Sequence, residues 1–336
     1  MIRRRTILQS GLMGLASAGL PWPVAARTKS DDRLLAALLV PLTGPGTDVG
    51  RSLHHAADIA QPASADVKTP IVAFDTGTTP DGARAAAAAA VARGAAVIIG
   101  PLYGPQIAGV VAAGGGIPVV ALASDDSAAA GAFVLGITPR QSTAAILGYA
   151  RSRGVRRVAV DAGTTAWDQA AAAAAVPAAR DPGLSLVGAD DATPDAVFIP
   201  GDADAFVAVA RRLSGSGVQL LGTHQALTLS GAGLAAIDGA WLAAPDPDGF
   251  GDFARRFEAA FGNAPGLVAG LVYDAVRIAA TLRANGHLDR DGLTGSAGFP
   301  GVTGAVRFHA DGRATRELAI LVANGAGFRT AAHSEG

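Results

Sequence analysis

Cysteine is absent from all 336 residues, which excludes disulfides, thiolate metal sites and a cysteine nucleophile together. Lysine is almost absent too, confined to Lys29 and Lys68. No G-x-S-x-G nucleophile elbow occurs. The six histidines, His54, His55, His224, His287, His309 and His333, show no metal-ligand spacing, and adjacent His54 and His55 point to different sides of a helix. Beyond residue 26 no run is long and apolar enough for a membrane helix, so the remaining chain reads as not membrane-spanning. The formal net charge of −1 becomes −4 once residues 1–26 and their three arginines are removed, which leaves no nucleic-acid footprint.

What the chain does have is apolar material: 50% of its residues are hydrophobic and 16% charged. Without disulfides it must stand on its core, and its length suffices for one large domain or two lobes. Alanine fills 85–90 and 170–175, which reads as a coding bias on helix surfaces more than as a functional low-complexity segment.

Residues 1–26 read as an export signal. Arg3, Arg4 and Arg5 precede an apolar stretch from Ile7 to Leu20, and Val24-Ala25-Ala26 supplies small residues for cleavage. The order Arg4-Arg5-Thr6-Ile7-Leu8-Gln9 resembles the twin-arginine signal. With no cysteine at the cleavage position, a lipoprotein is not expected. The expected location is the periplasm.

From Leu34 onward, continuous apolar runs alternate with helical periodicity. Strands are expected at Leu34–Pro41, Ile71–Asp75, Ala95–Gly100 and Val119–Leu122, separated by helices at about Val49–Gln61, Asp81–Arg93 and Pro105–Ala113. A Ser-, Asp- and Ala-rich break at Ala123–Gly131 precedes a second set: helix Pro139–Ser152, strand Val155–Asp161, helix Trp167–Val176, strands Leu184–Val187 and Ala196–Ile199, helix Ala203–Leu213 and strand Val218–Leu221. After strand Ala240–Ala244 and the stiff Pro245-Asp246-Pro247 come helices at about Phe250–Phe261 and Leu267–Asn285, then runs Gly304–Phe308 and Leu318–Val322. Continuous apolar strands between helices belong to parallel sheets covered on both faces. Such sheets bind ligands outside the carboxyl ends of their strands.

The first strand runs into a loop with Gly44, Gly46 and Gly50. One reading is a cradle for a dinucleotide pyrophosphate, with Asp75 closing the second strand where a ribose-binding acid would sit. Against it, Gly50 is one residue beyond the fingerprint spacing and Pro45 stiffens a turn that needs a free amide. The other reading is one lip of a cleft that closes on a small solute. An exported NAD(P)-dependent oxidoreductase is therefore the minor alternative to a receptor.

The runs PLTGPGTDVGRSL, VIIGPLYGPQIAGVVAAGGGIPVVALAS, LVYDAVRIAATL and GVTGAVRFHADGR occur in this order. Together they resemble the type I periplasmic-binding fold in its leucine/isoleucine/valine-binding-protein-like branch, over about Leu34 to Val322. The resemblance implies an α/β architecture: two Rossmann-like, doubly wound parallel-sheet lobes joined by a three-stranded hinge. Residues 31–121 and 247–315 would form the N-terminal lobe, and 122–246 and 316–331 the C-terminal lobe. The crossings are expected near Ala121–Ser124, Pro245–Pro247 and Gly312–Glu317.

It also implies a ligand site. First-lobe loops would contribute Thr43, Thr47, Tyr103, Gly104, Ser124, Asp125 and Asp126; the second lobe would contribute Trp167, Asp202 and His224. Tyr273 is expected near the cleft, with Asp274 structural. Amides and hydroxyls would fix a ligand carboxylate, a carboxylate an amine, and an aromatic face would exclude water. Gly104-Pro105 stand where amino-acid-binding members carry Ser or Thr, and Pro105 has no amide hydrogen to donate. The implied function is non-enzymatic: an extracytoplasmic solute-binding protein of a branched-chain-amino-acid-type ABC transport system. Its partners would be a small polar ligand, an amino acid or related carboxylate or amide, and an ABC permease, with no cofactor or metal. IIGPLYGPQ, IPVVALASDDS and VLGITPRQSTAAILGYARSRGVRRVAV resemble a second branch, the penicillin-binding-protein activators, which implies as an alternative a regulator of peptidoglycan synthesis acting on a penicillin-binding protein.

Overall fold

Leu35–Val40 (β1) is buried at every position, and the two faces of this strand organise the first layer of the structure. Ala36, Leu38 and Val40 pack into one core cluster, while Leu35, Ala37 and Leu39 pack into another. This is the period-two alternation of a strand covered on both sides. The computed structural model describes residues 35–61, 69–125, 131–180, 183–188, 194–295 and 297–335. The expected export signal therefore lies outside the described residues.

β1 is followed by α1 (Thr47–Ala60), β2 (Ile71–Asp75), α2 (Pro80–Ala92), β3 (Ala95–Ile99), α3 (Ile107–Ala113), β4 (Val119–Ala121) and β5 (Phe133–Val134). The five strands form a parallel sheet in the order β2-β1-β3-β4-β5. Then come α4 (Pro139–Ser152), β6 (Arg157–Val160), α5 (Ala166–Ala178), β7 (Ser185–Val187), β8 (Ala196–Ile199), α6 (Ala203–Arg212), β9 (Gln219–Thr223), α7 (Gly231–Ala236) and β10 (Trp241–Ala244). The chain ends with α8 (Pro247–Phe261), α9 (Leu267–Ala284), α10 (Arg290–Gly295), β11 (Val306–Phe308), β12 (Ala314–Arg316), β13 (Ala319–Ala323) and β14 (Phe328–His333).

The second sheet has the order β14-β13-β10-β9-β8-β6-β7, parallel from β7 to β10 and antiparallel at β13 and β14. Ile146, Leu147 and Ala150 of α4 and Ala171 and Ala175 of α5 cover one face; Phe206, Val207 and Ala210 of α6 and Leu234 of α7 cover the other. α9 packs on α1 and β3, and so belongs with the first sheet. The chain is thus α/β, with doubly wound parallel sheets. Among the described residues no helix is long and apolar enough to cross a membrane.

Sheet membership differs from expectation at the first crossing. Val120 and Ala121 of β4 pair with Phe133 and Val134, so the chain leaves the first sheet after residue 134 and not near Ala121–Ser124. The reason is a ladder only two residues long, which carries no periodicity of its own. The last passage sits against this one: Val134 N donates to Gly312 O at 2.8 Å, and Gln141 Nε2 donates to Ala314 O at 2.6 Å. Gln141 also closes a capping box with Thr138 at the start of α4.

The glycine loop is explained by packing. Gly44–Gly46 forms one 3-10 turn leading into α1, and a Cβ on Gly50 would lie 1.8 Å from Pro41 O, inside the loop it faces. Gly50→Ala should therefore force the start of α1 off the end of β1 and cost about 1–3 kcal/mol in urea unfolding. Gly148→Ala in α4, where a Cβ meets nothing within 4 Å, is the control and should stabilise by about 0.4–1 kcal/mol.

Candidate functional site

The loops at the carboxyl ends of the strands carry most of the residues singled out from the sequence. On the first sheet, Asp75 at the end of β2 organises the lip formed by residues 42–47. Its carboxylate accepts from Leu42 N at 2.8 Å, Thr43 N at 3.2 Å, Thr43 Oγ1 at 2.6 Å and Gly77 N at 2.9 Å. The Thr43 hydroxyl bond, helped by these backbone amides against partial desolvation, holds the Asp75 carboxyl below the usual range. Asp75 thus holds its own loop, and is committed elsewhere than a ribose. Thr47 Oγ1 donates to Gly44 O at 2.7 Å. Both threonine hydroxyls direct their protons inward and retain only acceptor capacity toward solvent.

Tyr103 is one of the few large apolar side chains exposed to solvent, at 36%. Beside it, Gly104 faces Asp125 so closely that a Cβ would lie 3.4 Å from the Asp125 side chain. The loops after β3 and β4 therefore meet, with Ser124 and Asp125 exposed. Asp126 lies outside the described residues.

On the second sheet, the ends of β6, β8 and β9 converge on Pro200. Trp167 Nε1 donates to Pro200 O at 3.0 Å, and buried Thr223 directs Oγ1 to the same carbonyl at 3.4 Å. The Trp167 ring meets His224 edge to face, with centroids 5.1 Å apart and an interplanar angle of 83°. Trp167 is placed by the α5 capping box of Thr165 and Asp168. Asp202 caps α6, accepting from Ala205 N at 3.0 Å.

His224 carries the most altered imidazole of this cluster. Burial, reinforced by the nearby positive charge of Arg316, pushes it down to about 4, so the ring is neutral at neutral pH. Its Nδ1 is buried with no hydrogen-bond partner. A neutral imidazole beside an aromatic edge can accept or donate one hydrogen bond to a solute without adding a charge.

Tyr273 is placed in the packing of α1, α8 and α9. Its hydroxyl accepts from Arg256 Nη1 at 3.0 Å, its ring lies 5.1 Å from Phe253, and Arg256 Nη2 reaches Ile59 O at the end of α1 at 3.0 Å.

Sequence reasoning did not find Arg316. This side chain is 4% exposed and donates to Thr303 O at 3.0 Å, Thr303 Oγ1 at 2.6 Å and, from Nη2, Leu135 O. Thr303 Oγ1 in turn donates to Asp274, which also accepts from Val302 N at 2.7 Å and Thr303 N at 3.0 Å. Burial pushes the Asp274 carboxyl up, against these bonds and the Arg316 charge; burial brings Arg316 down to about 10. The Asp274–Thr303–Arg316 relay ties α9 to the first and last passages between the sheets. No local signal separates Arg316 from Arg307 or Arg313.

A family model described as periplasmic binding protein matches residues 36–224. No curated protein matches the chain in sequence. Among solved structures, a putative branched-chain amino acid ABC transporter protein from Rhodospirillum rubrum is 23% identical with a TM-score of 0.78, the match covering 89% of this chain and 99% of that one. The C-domain of LpoA from Haemophilus influenzae, a regulator of PBP1A, is 14% identical with a TM-score of 0.71, covering 89% and 100%. A solute binding protein of an ABC transporter from Rhodopseudomonas palustris, in complex with 3,4-dihydroxybenzoic acid, is 19% identical with a TM-score of 0.67, covering 90% and 97%.

Proposed function

The chain belongs to the periplasmic binding protein family, and from that premise we propose that it is the extracytoplasmic solute-binding protein of a branched-chain-amino-acid-type ABC transport system. It holds a small polar ligand, an amino acid or a related carboxylate or amide, in a cleft between its two sheets and presents it to a permease. Export follows the twin-arginine route. The observation that carries this reading is the Trp167–His224 pair over Pro200, with a neutral, unpartnered imidazole nitrogen at the strand ends of an α/β sheet. In this reading the first-sheet loops would supply acceptor oxygens from Thr43 and Thr47, the Tyr103 ring, the Gly104 backbone and the Ser124 and Asp125 side chains, and Asp202 would contribute from the start of α6.

Thermal-shift screening of the purified protein against amino acids, short aliphatic carboxylates, hydroxybenzoates and muropeptide fragments tests it. A ligand at a hundred times its dissociation constant adds about 2.7 kcal/mol to the stability. Trp167→Ala should weaken that ligand by at least about tenfold, since one buried aromatic contact is worth about 1.4 kcal/mol or more.

A second reading, a regulator of peptidoglycan synthesis acting by protein contact on a penicillin-binding protein, is favoured by one observation. The first-sheet hydroxyls that would hold a carboxylate are donated to Asp75 and Gly44 O. No melting shift with any solute, together with binding to a synthase domain, would decide for that reading.

A further inference from the structure

The loops at the carboxyl ends of the strands carry charge of one sign. Residues 41–48, 76–81, 100–106 and 122–125 on the first sheet, and 161–168, 200–204 and 224–230 on the second, contain no lysine or arginine. Aspartate is the one charged residue type among them, since the His224 ring is neutral at neutral pH. Three of these carboxylates meet arginines set further along the helices: Asp48 meets Arg51, Asp81 meets Arg84 and Asp161 meets Arg212. Asp168 is buried in the α5 capping box. Asp125, Asp202 and Asp204 are exposed, on loops of both sheets. Arg316, the cation whose charge reaches His224, is 4% exposed, sends both terminal nitrogens to Leu135, Thr303 and Gly304, and is offset by Asp274.

Hydrogen-bond donors at the same loops are largely spent. A carboxylate and a carbonyl have no proton to give, so Thr43 Oγ1 must donate to Asp75 and Thr47 Oγ1 to Gly44 O. The amides of Leu42 and Thr43 also go to Asp75, and Pro45, Pro101 and Pro105 have none. Across from them, Trp167 Nε1 and Thr223 Oγ1 both donate to Pro200 O. Asp202 uses Oδ1 to accept from Ala205 N, which leaves Oδ2 as a further acceptor. Next to Trp167, the buried Nδ1 of His224 has no partner, and on a neutral ring it can accept.

Resting on the solute-binding reading, we propose that the solute is a small organic cation, an amine such as an amino-acid amide, and not a carboxylate. An ammonium group brings three donors and no acceptor, which suits loops that offer oxygens and negative charge. The Trp167 and Tyr103 rings suit a cation as well. A carboxylate would set its oxygens against acceptors and against like charge, which selects against it.

Thermal-shift and calorimetric titration of the purified protein test it with matched probes: the amides of leucine, phenylalanine and arginine, the free amino acids, and the N-acetyl amino acids, which keep the carboxylate and lose the ammonium charge. An amide should raise the melting temperature and bind more tightly than its free amino acid, and the N-acetyl compounds should leave the melting temperature unchanged. The affinity for the amide should fall as salt rises and drop at least about tenfold in Asp125→Asn/Asp202→Asn. Asparagine still caps α6, and an unchanged melting temperature of the ligand-free variant shows that it is folded. Binding of an N-acetyl amino acid or a simple carboxylate as tightly as the amides would overturn the cation and leave a solute receptor standing. So would unchanged affinity in the double variant, or displacement of the amide by calcium. No shift with any of these probes or with the wider solute screen would overturn both the cation and the receptor.

Discussion

Arg316→Met should lower the unfolding free energy by about 3–5 kcal/mol, the usual cost of removing one partner from a buried ionic cluster. Four carbonyl or hydroxyl acceptors lose this donor at once: Leu135 O, Thr303 O, Thr303 Oγ1 and Gly304 O. Asp274, 1% exposed, loses the cation that offsets its burial. Arg316→Lys keeps the charge but not the fork, and should fall between the two. The double variant Arg316→Met/Asp274→Asn should cost less than the sum of the single changes, because both members of the pair leave together. Urea unfolding of the wild type, Arg316→Met, Arg316→Lys, Asp274→Asn and the double variant measures these costs. A loss under about 1 kcal/mol for Arg316→Met, or strict additivity in the double variant, would show that the relay does not hold the passages between the sheets.

The second large effect depends on pH. His224 titrates near 4 in the folded protein, against an ordinary value of 6.5. Between those values the unfolded chain binds a proton that the folded chain refuses, so stability is full above pH 6.5 and falls as the pH drops toward 4. A shift of that size corresponds to about 3 kcal/mol. Unfolding measured from pH 7 to pH 4 should therefore show a loss in the wild type that exceeds the loss in His224→Gln by about this amount. Parallel pH profiles for the two proteins would mean that the imidazole is accessible and ordinary. Because the Arg316 charge contributes to the depression after burial, Arg316→Met should move the His224 titration part of the way back, which an imidazole proton spectrum follows directly.

Much of the architecture was legible in the sequence because β1, β3, β8 and β10 are uninterrupted apolar runs, and burial on both faces is what such runs encode. β5 was not, since Phe133–Val134 is a strand only by virtue of its neighbours. The site was legible in part for a similar reason. Trp167 and His224 stood out as an aromatic and an imidazole in loops at strand ends, and they meet in space. Thr43 and Thr47 stood out as hydroxyls in a glycine loop, but where a hydroxyl sends its proton is a tertiary question: Thr43 finds Asp75, 32 residues away. Arg316 was invisible for the opposite reason. Its role comes from Asp274 and Thr303, and a sequence rich in arginine offers no mark for the one that is buried.

The assignment of α9 to the first sheet has a consequence for the time course of synthesis. β1 to β5 are complete once residue 134 has emerged, yet the α1 side of that sheet is covered by a helix ending at Ala284. About 150 residues separate the two events, or roughly 8–30 s at 5–20 residues per second. Throughout that interval α1 alone covers this face and the apolar residues that α9 later buries stay exposed, and a holding chaperone has its natural target there.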